Sequence, residues 1–434
     1  MAEVYGATGI PSDSIEVRSG GTVAVSAAFE TTLGLVGGYD AGNGSATEGE
    51  VTTVESTADA DTSFGADSEL AEQSALAFQN GAGTIYAIAV SESTVTGEAA
   101  GGQSGTLSNV PVFDPNIHDE ETITAADTGG TDPTVEIVYD SPPSTPADAD
   151  TVNVNPVTGE FEFDAAATGT YEFDYAYGDY SSAVTEVVKE VPRIVTILTE
   201  NTSVANDLLT ELNSYDVDFD FMHGIVGAMP EVDASTYSDA LDDRRLSVVA
   251  PSRGYTDAAE TNEQRTLGAV GGKQAGKALG DSTTYESLGG FASLRTTYTN
   301  SQLADLVDAQ VLPLKQGGGI KIIKDMTTST DTKFERIYAS EIVDEATEIS
   351  HQISEGFIGD RNTDDNRLAL RESHTSSYAE MQNDELLENY AVQVSKGAND
   401  FEVTVDIGLD VIGIMDLIDV TITVGDVVQN EGAA

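Results

Sequence analysis

The sequence predicts an α/β protein: a mixed α/β core, an inserted all-β, sandwich-like outer domain, and extended β arms at both ends. Three observations carry this. From Arg193 onward, strand-like and helix-like runs alternate. Residues 96–188 instead alternate apolar and polar in short runs split by turn residues. Both chain ends are short β-prone segments reached through glycine or polar residues.

In chain order, residues 1–24 (SIEVRSG, TVAVS) form an expected N-terminal arm. A core domain is expected over 25–95 plus 189–330. Its first strand is LGLVGG, then come a helix carrying Leu70, Leu76 and Phe78 and a β run, TIYAIAV, from Thr84 to Val90. The inserted domain, 96–188, contains TVEIVYD, TVNVN, GEFEFD and YEFDYAYGDY, divided by DSPPSTPADAD and NPVTGE. The core then resumes with RIVTILT as strand, VANDLLTELNS as helix, DFDFMHGIVG as strand, STYSDALDD as short helix and LSVVA as strand. TLGAVGGKQAGKALG follows, with strands at AQVLPL and GIKIIKD. A C-terminal domain over 331–418 opens with an amphipathic helix from Phe334 to Phe357, where Ile337, Ile342, Ala346, Ile349 and Ile353 recur at helical spacing. A second helix covers Arg367 to Met381, and strands AVQVS and DFEVTVDIG follow. DVTITV opens a C-terminal arm over 419–434.

The formal charge is −56, from 75 acidic against 19 basic residues, yet 39% of residues are hydrophobic. That much apolar content argues for a folded protein with an acidic coat rather than a disordered chain. Such a coat repels itself in dilute buffer, whereas at about 1 M salt the Debye length falls to roughly 3 Å. A halophilic setting is therefore expected. Direct contact with nucleic acid is not, since phosphates demand a basic face. Cysteine is absent, which removes disulfides, thiolate nucleophiles and cysteine zinc sites. The first residues, MAEVYGATG, lack a basic or apolar signal region, so ordinary secretion is not expected, although Asn43 and Asn201 open Asn-x-Ser/Thr patterns. No run of 18 apolar residues suggests a membrane span.

Chemical motifs are sparse. GAVGGKQAGK has three residues, not four, between Gly268 and Gly272, and Gln274 follows Lys273, so it misses the phosphate-loop pattern. Its glycines are expected to allow close helix packing. The clusters Asp114 with Asp119–Glu121 and Asp216/Asp218/Asp220 lack calcium-loop spacing and are expected to be solvated surface. His118, His223, His351 and His374 fit no metalloprotease motif, and no nucleophile elbow is present. No enzyme, cofactor or metal site is expected.

Fifteen of the nineteen basic residues fall between Arg244 and Arg371. Either they form a face for an acidic partner or they pair internally with the acidic N-terminal half. The terminal segments are candidate intersubunit strands through Ile15, Val17, Val23 and Val25, and through Val420, Ile422 and Val424, because an unpaired strand is an edge seeking a partner.

SAAFETTLGLVGGYD, FQNGAGTIYAIAV, TLGAVGGKQAGKALGDSTTYESLGG and GIKIIKDMTTSTDTKFERIYASEIVDEATEISHQI occur in an order that resembles the contractile tail sheath family of myovirus-like phages. The acidic composition resembles a haloarchaeal member. The resemblance implies a structural subunit stacking with its neighbours as six-fold rings in a helical tube around an inner tail tube, bounded by baseplate and tail-terminator proteins. It also implies assembly in the host cytoplasm, a place in a virion tail or injection particle, and no direct membrane contact. The 96–188 unit would be outward decoration. Lys315, Lys321, Lys324, Lys333, Arg336, Arg361, Arg367 and Arg371 would be tube-facing candidates. A halophilic α/β hydrolase with a β accessory domain and a cell-surface adhesin are the alternatives.

Overall fold

The computed structural model describes residues 31–114, 116–118, 122–165, 169–230 and 241–414. Both expected arms, their seven strand candidates, and most of the helix expected over 235–243 lie outside these residues.

Strand β1 (Thr32–Gly37) is buried along its whole length, and β2 (Val51–Val54) follows. Helix α1 (Thr57–Phe64) begins where the Ser56 side chain accepts from the Asp59 amide. Helix α2 (Glu69–Asn80) is capped the same way by Ser68 and ends at Gly81 with φ +122°. Strand β3 (Thr84–Ala89) then leads out of the core.

The next strands are β4 (Glu92–Ala99), β5 (Ser104–Thr106), β6 (Thr124–Asp127), β7 (Thr134–Ile137), β8 (Thr151–Val154), β9 (Glu160–Phe163) and β10 (Tyr171–Gly178). They form two sheets, β4-β10-β6 and β5-β9-β8-β7. Both sheets feed one apolar cluster in which Val152, Val154, Phe161 and Phe163 meet Ala125, Phe173 and Tyr175. The all-β expectation for 96–188 stops at Gly178. Tyr180–Val187 is helix α3, because Tyr180, Ala183, Val184 and Val187 fall on one helical face and Asp179 caps the Ser182 amide. That face is buried in the main core, away from the β cluster.

The remaining order is β11 (Ile194–Ile197), α4 (Thr202–Tyr215), β12 (His223–Gly227), β13 (Leu246–Ala250), β14 (Arg253–Tyr255), β15 (Glu263–Arg265) and α5 (Leu267–Ala275). After them come β16 (Ser287–Leu288), β17 (Ser293–Leu294), α6 (Asn300–Asp308), β18 (Leu312–Gln316), β19 (Ile320–Ile322), α7 (Ile337–Glu355), α8 (Asp364–Asn383), β20 (Leu387–Lys396) and β21 (Val403–Val411). The central sheet has nine strands in the order β16-β19-β18-β13-β12-β11-β1-β3-β2. Its middle six, from β18 to β3, run parallel. Strands β2, β19 and β16 are antiparallel additions at the two ends. Near-continuous apolar runs such as LGLVG and LSVVA suit this sheet, which buries both faces under helices.

The glycines of α5 do pack a helix. A side chain at Gly272 would meet the Cα and carbonyl carbon of Ala77 in α2 at 2.6 and 2.7 Å. One turn on, Gly276 would meet the Gly81 carbonyl oxygen at 2.7 Å. Backbone cannot move aside as a flexible side chain can. Gly272→Ala is therefore expected to destabilise the protein by about 1–3 kcal/mol, although alanine is the better helix former. Chemical denaturation checks this; an unchanged or raised midpoint would contradict the packing account.

Candidate assembly surfaces and the buried ion pairs behind them

Open parallel sheets bind ligands in the crevice beyond their strand ends. Here that crevice is filled by charged side chains. Arg253, the first residue of β14 and three positions beyond the end of β13, is 0% exposed. Its Nε lies 2.9 Å from Glu200, which follows β11, and its Nη1 lies 2.7 Å from Asp114 and 2.5 Å from the Tyr139 hydroxyl. Arg265 joins the same Glu200 at 3.2 Å and also pairs with Glu69 of α2. Tyr139 lies under the guanidinium groups of Arg253 and Arg295, 4.3 and 4.8 Å from its ring centre. Burial alone would raise the Asp114 pKa, but Arg253 and the Tyr139 donor hold it below the ordinary value. Burial pushes His118, 3.3 Å from Glu69, down to about 4, so it sits there as a neutral ring at pH 7.

Asp114 is thus an internal anchor and not solvated surface, because it answers a buried cation; Asp119–Glu121 lie outside the described residues. Asp216 is a second correction. It is buried and lies 3.0 Å from Arg245, while Asp218 and Asp220 stay exposed. Arg245 and Arg244 also pair with Asp344 of α7, and Glu341 of α7 takes Arg193 through two bonds of 2.9 Å. Helix α7 is therefore tied to the central sheet by charge. Burial, outweighing Arg245, lifts the Asp216 carboxyl to about 6.

The other histidines are absorbed structurally. His223 Nε2 is 2.8 Å from Ser247 Oγ, which bonds the Met326 carbonyl; burial pushes this ring to about 3. His374 bonds Tyr378 at 2.9 Å, and His351 stacks on Phe219 at 3.9 Å. Among the described residues no group of three His, Asp or Glu is placed to hold a metal ion.

The tube-facing candidates separate into kinds. Arg336 is removed from the surface: it is buried and donates to Asp325 at 2.8 Å. Lys324 pairs with Glu335, Arg367 with Asp364, and Arg371 lies 3.8 Å from Glu372. Lys315 donates to Asn300 at 2.7 Å. Lys321, Lys333 and Arg361 make no ion pair among the described residues. Internal pairing accounts for most arginines between Arg244 and Arg371, and leaves these lysines out.

At the C-terminal end, β20 and β21 form a long antiparallel hairpin that pairs with no other described strand. Tyr390, Val392, Ile407 and Leu409 turn one face toward Ile342, Tyr378 and Met381. Among the described residues neither outer edge pairs with a further strand, and Phe401 at the turn is 99% exposed. A two-stranded ribbon is marginal by itself. This one is steadied by α8 on one face, and no described strand flanks its sides.

No family model matches the chain, and no curated protein matches it. Solved structures do, and they define its fold as that of contractile sheath proteins. It is similar to the anti-feeding prophage helical sheath in the contracted state (TM-score 0.56, 12% identity, 96% of this chain and 99% of that one). It is also similar to the contracted sheath complex of an extracellular contractile injection system (TM-score 0.57, 11% identity, 97% and 99%). A sheath tail protein from Desulfitobacterium hafniense matches at TM-score 0.53 and 13% identity, over 89% and 97%.

Two measurements test the ion pairs. Arg253→Met leaves Glu200 and Asp114 buried without their shared cation, and is expected to cost about 3–5 kcal/mol in equilibrium unfolding; a loss under 1 kcal/mol would refute the anchor role. For Asp216, the native carboxyl keeps a proton between pH 3.8 and about 6 that the unfolded chain has released. Its contribution thus favours the native state at the lower pH and is lost as pH rises through about 6. The stability of the wild type relative to Asp216→Asn should fall across that window, and a flat difference would refute the raised value.

Proposed function

We propose that this chain is the sheath subunit of a contractile tail or injection device. The observation that carries the reading is its likeness to sheath structures over nearly the whole of both chains. Copies stack as six-fold rings into a helical tube around an inner tail tube, with baseplate and tail-terminator proteins at its ends. The domains expected from sequence, with α3 moved from the insert to the core, act as parts of this device: 25–95 with 179–330 as the sliding body, 96–178 as outward decoration, and 331–418 as the inner part.

Residues 1–24 and 419–434 act as linking arms. The open edges of β20–β21 suit them, since strand addition uses main-chain hydrogen bonds and tolerates variable side chains. Ile15, Val17, Val23 and Val25, or Val420, Ile422 and Val424, would cover the hairpin of a neighbouring copy. Contraction then moves the bodies while these links persist. Arg361, Arg367 and Arg371, beside the hairpin on the C-terminal part, are the tube-facing residues. The charge of −56 fits a particle working in molar salt, such as the tail of a haloarchaeal virus. Neither the hydrolase nor the adhesin reading gains an observation, and the strand-end crevice a hydrolase would use is filled.

Negative-stain electron microscopy of the purified chain in about 2–3 M KCl, where repulsion is screened, is expected to show striated tubes or stacked rings. Deleting residues 1–18 or 419–434 should leave a folded monomer that no longer polymerises. Normal tubes from both truncations would refute the strand-linked mechanism.

A further inference from the structure

The central sheet carries opposite charge at its two ends. Near one end, just inside the outer strand β16, Lys315 of β18 and Lys321 of β19 are direct register partners, joined by a glycine turn with open space around Gly317, Gly318 and Gly319. Ser287 of β16 lies opposite Lys321, and the preceding residue, Glu286, holds Lys277 at 3.0 Å and Lys273 at 3.7 Å. Lys324 follows on the same strand run and pairs with Glu335. Five of the chain's eight lysines thus gather here, and Glu286 and Glu335 pair with three of them. Lys315 and Lys321 take part in no ion pair among the described residues.

At the opposite end, β2 pairs with β3 and, among the described residues, with no strand on its other side. Exposed Glu50 and Glu55 flank it, with Glu48 before them and Asp59 and Asp61 on α1 beyond. No lysine or arginine occurs between Ser19 and Val188, so no such cation on this stretch answers those charges, although the Tyr39 hydroxyl donates to Glu48 at 3.3 Å. Seven strand spacings separate β19, which carries Lys321, from β2, and six separate β18, which carries Lys315, or about 29–34 Å at roughly 4.8 Å each. They cannot meet within one subunit.

Like charges placed directly across a strand pair destabilise it. A chain with 75 acids and 19 bases that still sets two lysines face to face places scarce cations where they weaken its own strand pairing, with Lys315 held by the neutral Asn300 side chain. Opposite patches at opposite ends of one sheet are what a heterologous, head-to-tail contact requires, and such a contact propagates when it does not close. We propose that the Lys315/Lys321 hairpin of one copy docks on the Glu48/Glu50/Glu55 edge of β2 in a second copy. This rests on the reading that copies assemble, and it gives those two lysines to a neighbouring subunit instead of the inner tube. In molar salt, long-range attraction is screened, so the contact acts at ammonium–carboxylate range and selects which edges meet.

The test mixes unlabelled and isotope-labelled full-length chain at equal concentration in molar KCl, couples touching lysines and carboxylates with a carbodiimide, and maps the products by mass spectrometry. Cross-links from Lys315 or Lys321 to Glu48, Glu50 or Glu55 of the oppositely labelled chain are expected. Such links without tubes would support the docking and overturn the sheath reading. Tubes without such links would overturn the docking and spare the sheath reading, while neither would overturn both. Reversal variants add a second readout, with circular dichroism and sedimentation confirming folded chains. Lys315→Glu with Lys321→Glu, or Glu50→Lys with Glu55→Lys, should each lower assembly about tenfold or more, and all four together should restore it. Charged edge residues can also merely block unwanted strand pairing. Glutamate would serve that role equally, so normal assembly of the lysine reversal would overturn the proposal.

Discussion

Arg253 is a full positive charge with none of its surface exposed, and much of the architecture can be understood from what keeps it there. An isolated buried cation costs many kcal/mol, so its carboxylates must be delivered with good geometry. They come from three places: Glu200 from the end of β11, Asp114 from the inserted strands, and Glu263 of β15 at 3.6 Å. Tyr139, also from the insert, closes the ring side. The inserted unit, the central sheet and the small β15-β14-β17 sheet are therefore fixed relative to one another at one point. The same packing fills the crevice that an α/β enzyme would leave open for its substrate.

A similar logic joins α7 to the sheet. Tyr338, Ala339, Ile342 and Ala346 belong to an apolar cluster shared with α8 and the β20–β21 hairpin. What crosses to the sheet is chiefly charge: Glu341 with Arg193, and Asp344 with Arg244 and Arg245. Apolar packing can slide with little penalty, whereas a buried ion pair that loses its partner is left with an unpaid desolvation cost. The seam therefore specifies one seating of the C-terminal part.

Arginine and lysine divide these duties. The planar guanidinium can serve two or three acceptors while desolvated, and arginine fills the buried junctions at 193, 245, 253, 265 and 336. Lysine, strongly hydrated at its tip, stays nearer the surface at 315, 321 and 333. In a chain so short of cations, the position of each one carries information.

Periodicity made the parallel strands and the helices α2, α4, α7 and α8 legible, because burying one face of a helix or both faces of a strand leaves a local pattern. It failed for α1 and β2, whose sequences TADADTSF and VTTV carry few apolar residues, and for α3, where β-prone tyrosines run on into a helical face. The ion pairs were hidden for another reason. Asp114 and Arg253 are 139 residues apart, and among 75 carboxylates nothing local marks the few that go inside. A strong excess of acid was enough to show that each arginine had partners to choose from. The sequence by itself determined the elements and the acidic coat, since both follow from composition and short-range spacing. Which charges meet, which crevice closes and which strand edges stay open were decided by the tertiary structure alone, because those depend on contacts between segments distant along the chain.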